Sequence, residues 1–129
     1  MTTIKSFSDL EQSKKLAEIL PLESADMRIG NYVGKSGKVD GTNIHYYPKG
    51  ESFGAPEIIN AWSLAALLGV MPKEIVCDKS IVFLEFHIWE NSLEYVNNAD
   101  YTLHVTESYD NPIDACYEMI IKLHELNLL

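Results

Sequence analysis

The stretch "SIVFLEFHIWENSLEYVNNADYTLHVTES", residues 80–108, decides the fold. Leu84, Phe86 and Ile88 alternate with Glu85, His87 and Trp89, the period of two that belongs to a strand with one covered face. "LEYV" follows the turn-like "ENS", and after "NNAD" the alternation returns, with Tyr101, Leu103 and Val105 inward and Thr102, His104 and Thr106 outward. Short polar connections between such runs predict an antiparallel meander of three strands.

A sheet with one apolar face needs cover, and the segments around it read as helices. In "YDNPIDACYEMIIKLHELNLL", residues 109–129, Asn111 or Asp110 can cap a helix, Pro112 suits its first turn, and Asp114 places negative charge near the positive end. At about 100° per residue, Asp114, Glu118, Lys122 and Glu125 share an arc of roughly 80° while apolar residues take most of the rest. That girth predicts cover on two sides, by the sheet and by another helix or a second copy of the chain. Tyr117, Ile121 and Leu128 border the polar arc and are the interface candidates.

Upstream, "AWSLAALLGVMPK", residues 61–73, predicts a short buried helix. Ser63 is its N-cap, Trp62 and Leu67 form a hydrophobic staple, Gly69 ends it and Pro72 prevents its resumption. Trp62 reads as core. An N-terminal helix is expected to start near Ser8, which has capping-box spacing to Glu11, and to close at Pro21. Six of the seven glycines fall between Gly30 and Ala55, so residues 30–55 are expected to be turns and loops with a short hairpin around "NIHYY". The fold class is α+β: one domain over residues 1–129, with a three-stranded antiparallel meander packed by N-terminal, short central and C-terminal helices.

Charge bounds the function. The net charge is −9, and of the nineteen acidic side chains nine follow residue 80, where Lys122 is the one basic group. Arg28 is the single arginine, although arginine is the usual tool for phosphate forks and guanine edges, so direct nucleic-acid binding is not expected. No apolar run reaches the length of a membrane span, and "MTTIKSFSDLEQSKK" lacks the apolar region of a secretory signal; the expectation is a cytoplasmic protein with no membrane contact. Cys77 and Cys116 lack the spacing of a zinc or redox pair and read as small buried hydrophobes.

Motifs of catalysis are absent, which weighs against an enzyme, and neither a cofactor nor a catalytic residue is assigned. "GNYVGKS", residues 30–36, has three residues between its glycines instead of the four of a phosphate loop, and "GKVDG" cannot open the helix that such a loop needs. Among the four histidines, His87 and His104 occupy outward strand positions near Glu85, and two imidazoles with a carboxylate would satisfy a zinc-like site; these three are the metal candidates. His124 falls near the end of the last helix, where it suits free carbonyls.

The segments "DLEQSKKLAEILPLESADM", "AWSLAALLGVMPK" and "DNPIDACYEMIIKLHELNLL" together resemble a group of small proteins encoded on phages and mobile elements of gut bacteria, in which similar ends flank a divergent middle. The resemblance covers about half of the chain and implies a genetic setting, with no established activity. The expected function is a small accessory protein of a bacterial mobile element that acts by protein binding, with a homodimer as one form of partner. The alternatives are an acidic anti-defence inhibitor that imitates nucleic acid and a small metal-dependent hydrolase.

Overall fold

The structure, a computed structural model, describes residues 5–51, 54–77, 80–87, 91–97 and 102–129. The expected placements of Ile88, Trp89 and Tyr101 lie outside these residues, as do the side chains of Cys77, Leu103, His104 and Val105. The chain divides into two compact units: Ser6–Ala66, and Leu67–Leu129 with Met1–Lys5.

In the Ser6–Ala66 unit, helix α1 (Leu10–Ile19) is followed by a 3-10 turn (Leu22–Ser24) and strands β1 (Met27–Val33), β2 (Val39–Pro48) and β3 (Glu57–Ala61). The strands form an antiparallel sheet in the order β2-β1-β3, with α1 against β3. This corrects the expectation of glycine-rich loops, because much of the segment from Gly30 to Pro48 is strand. Gly30 marks the reason: a Cβ there would lie 2.6 Å from Tyr47 Cε2 and 3.1 Å from Tyr32 Cε2, so the missing side chain makes room for two tyrosines crossing the sheet. Their hydroxyls are hydrogen-bonded to each other. Glycine here serves close packing, which composition alone reads as a turn.

Helix α1 starts one residue later than expected. Asp9 is the N-cap, accepting from Gln12 N at 2.8 Å, and the Gln12 side chain accepts from Asp9 N to complete the capping box. Ser8 is committed elsewhere. Its hydroxyl accepts from Trp62 N at 3.0 Å and lies 2.7 Å from that of Ser13, while its own N–H donates to Trp62 O. Ser8, Ser13 and Trp62 are all fully buried, so their polar atoms need partners, and they supply one another.

Helix α2 (Leu64–Val70) begins as the sequence indicates, with the Ser63 hydroxyl accepting from Ala66 N at 3.3 Å. Gly69 lies inside the helix and does not end it; the helix continues to Val70, before Pro72. The division between the units falls within α2.

The second unit holds β4 (Glu74–Cys77), β5 (Ser80–His87), β6 (Ser92–Asn97), β7 (Thr102–Ser108) and helix α3 (Pro112–Glu125). Its sheet is antiparallel in the order β4-β5-β6-β7, one strand wider than the sequence predicts. The additional strand is "EIVC", a four-residue segment too short for periodicity to separate from a turn. Leu93 and Tyr95 are fully buried on the covered face, and α3 lies against β6 and β7. Helix α3 is capped at Asn111, whose side chain accepts from Asp114 N at 2.9 Å, with Pro112 in the first turn. Lys5 Nζ donates to Asp114 Oδ1 at 2.7 Å. Among the described residues no helix is long and apolar enough to cross a membrane.

Candidate functional site

Register builds the site. In β5 and β6, Glu85 pairs directly with Glu94, and His87 with Ser92. Paired residues in an antiparallel ladder share a face, and residues two apart on one strand do so as well. Glu85, His87 and Glu94 therefore project from the face opposite Leu93 and Tyr95. His87 Nε2 lies 3.0 Å from Glu94 Oε2 and 3.5 Å from Glu85 Oε2, and one donor atom from each of the three residues falls within 4.8 Å of the others. All three side chains are half-buried, at 31% exposure for His87, 38% for Glu85 and 23% for Glu94.

The sequence places two of these three residues. His87 and Glu85 come together as expected. His104 falls in β7, where Tyr95 pairs with Val105 and Val96 with Leu103, so that His104 is the extra residue of a bulge; its side chain lies outside the described residues. Glu94 is the residue that sequence reasoning missed. The sequence carried no signal for it, because a turn at "ENS", residues 90–92, would set Glu85 opposite Asn97; only the register of β5 and β6 brings Glu94 to Glu85.

The same face extends to the edge of the sheet. Val76 pairs with Ile81, and Phe83, two residues on from Ile81, pairs with Glu74. Val76 is 69% exposed, Ile81 47% and Phe83 36%, an apolar patch on the edge strand β4 and its neighbour β5.

The three interface candidates of α3 are not prominent. Tyr117, Ile121 and Leu128 are each half-buried, while Ile113, Ala115, Cys116, Met119, Ile120 and Leu123 form the buried stripe. Burial pushes the Cys116 thiol up to about 12, which keeps it protonated and unreactive. The outer side of α3 is acidic: burial first, then the carboxylates of Glu107, Asp114 and Glu125, raise the Glu118 carboxyl above its usual range. Glu107 pairs with Leu93 and so belongs to the α3 face of the sheet, opposite Glu85 and Glu94. Among the described residues, Glu85 and Glu94 on one face of the sheet and Glu107, with the carboxylates of α3, on the other are two separate acidic groups.

In the other unit, the turn between β1 and β2 is organised by Asp40. It accepts from the Ser36 hydroxyl at 2.6 Å, from the Thr42 hydroxyl and from Thr42 N, and these bonds hold its carboxyl at about 2. Val33, Gly34, Lys35, Asp40, Thr42 and Asn43 line an open concavity beside it. With its lone pairs already engaged, Asp40 orders the turn and is poorly placed to act as a base.

Comparison with known proteins finds no matching family model, no matching curated protein and no matching solved structure.

Proposed function

We propose that this chain is a small accessory protein, of the kind carried by bacterial mobile elements, that acts by binding another protein through the open face of β4 and β5. The observation that carries the reading is the exposure of Val76, Ile81 and Phe83 on one face of the edge strand pair. Three apolar side chains held side by side in water are costly unless a partner covers them. An edge strand also offers backbone donors and acceptors to an incoming strand. Glu74 and Glu85 flank the patch on the same face, so the partner segment is apolar with basic residues at its margins.

Quantitative capture from host lysate tests the proposal with three baits: the wild type, Ile81→Lys, and Ile58→Lys as a control in the other unit. A partner retained in equal amount by the wild type and Ile58→Lys but lost by Ile81→Lys supports the reading. Equal capture by all three overturns it. Light scattering addresses a second copy as the occupant, because a dimer at the patch dissociates in Ile81→Lys and persists in Ile58→Lys.

A further inference from the structure

We propose that Glu85, His87 and Glu94 bind a divalent first-row transition-metal ion, of which zinc is the reference case. The inference shares Glu85 with the margin of the proposed protein-binding face, and metal titration of the isolated chain tests it apart from that reading.

The first observation is spacing. Three nitrogen and oxygen donors held tetrahedrally about 2.1 Å from zinc lie about 3.4 Å from one another. The imidazole nitrogen of His87 stands 3.0 and 3.5 Å from the nearer carboxylate oxygens of Glu94 and Glu85, so two of the three edges of the donor triangle already have that length. The third, between the two carboxylates, falls within 4.8 Å and closes with a rotation of one Glu side chain.

The second observation is the register. Like charges directly opposite each other across an antiparallel ladder oppose sheet formation. Glu85 and Glu94 are such a pair, and they lie on half-buried positions where water screens them less than on an open surface. A dication between them turns that repulsion into attraction. Imidazole with carboxylate oxygens is a donor set suited to zinc and its neighbours, whereas calcium and magnesium prefer oxygen alone. Rigid strands supply all three donors, so little order has to be gained on binding. Three protein ligands leave a coordination position for water or an incoming group.

A protonated imidazole between two carboxylates would adopt the same spacing, and metal titration separates the two cases. Calorimetric titration of zinc into the full chain is expected to show one equivalent bound, with His87→Ala and Glu94→Gln each weakening it at least about tenfold. His124→Ala, on the exposed last turn of α3, keeps the wild-type affinity. Thermal melts of each variant establish that it is folded. Should either site variant unfold, the histidine ring signals of the wild type serve instead: zinc shifts those of His87 and leaves those of His45 and His124 in place. Absence of stoichiometric binding overturns the proposal. So does binding that survives His87→Ala, that falls equally in His124→Ala, or that calcium reproduces.

Discussion

Gly30 and Gly69 are the same residue type used in opposite ways. At Gly30 the space a side chain would fill belongs to the rings of Tyr47 and Tyr32 and to Ala55 Cβ at 3.0 Å, so Gly30→Ala forces backbone or rings apart and is expected to cost about 1–3 kcal/mol. Gly69 lies in the last turn of α2 with open space where its Cβ would be. Its only effect there is to enlarge the freedom lost on folding, so Gly69→Ala is expected to stabilise by about 0.5–1 kcal/mol. Urea denaturation of the two variants should show midpoints displaced in opposite directions; a shared direction would mean that helix propensity or ring packing has been misjudged. Sequence alone cannot tell these glycines apart. Gly69 followed by Pro72 reads as a helix terminus, and Gly30 among other glycines reads as a loop, because the tyrosines that need the room at Gly30 come from two strands.

At the scale of elements, helix starts with a local cap are the most legible part of the chain. The caps at Asn111 and Ser63 are local signals, satisfied by N–H groups three residues away. The start of α1 was missed by one residue for a non-local reason, since Ser8 is drawn into hydrogen bonds with Trp62, more than fifty residues on. The strands β5, β6 and β7 announce themselves by alternation, whereas β3 and β4 are too short to do so. Helix α3 also carries a pH dependence. The Glu118 carboxyl is raised in the folded protein, by burial and then by Glu107, Asp114 and Glu125, from an ordinary value of 4.5. It therefore holds its proton more tightly when folded, and the associated stability is complete below 4.5 and disappears as pH rises through the folded value. At neutral pH the ionised carboxylate opposes folding, and after allowance for solvent screening the effect is that of one like-charge contact between Asp114 and Glu118. Glu118→Gln is expected to stabilise by about 0.2–0.5 kcal/mol at neutral pH and by progressively less toward acid. A pH series of denaturant midpoints checks the sign, and a gain that grows on acidification would refute it.

For the molecule as a whole, charge is divided as unequally as the sequence suggested, and the division follows the two units. Residues 6–66 hold eight acidic and six basic side chains, net −2, and the remainder holds eleven against four, net −7, which together make the −9 of the chain. Self-repulsion of this kind is screened as salt rises, since the Debye length falls from about 30 Å at 0.01 M to about 3 Å at 1 M. Amide exchange in β5, β6 and β7 is therefore expected to slow with added sodium chloride more than exchange in β1, β2 and β3; equal slowing would count against charge as the cause. The division itself was not legible, because no linker of proline, glycine or serine marks it and it falls inside a helix. It also sets an order of events during synthesis. A ribosome releases the N-terminus first, so all residues of the Ser6–Ala66 unit have been made before most of the other unit exists. Lys5 meets a carboxylate late: Asp114, which accepts from its ammonium group, is polymerised 109 residues after it. A translation product that stops before Asp114 therefore lacks one of the contacts that tie Lys5 to α3.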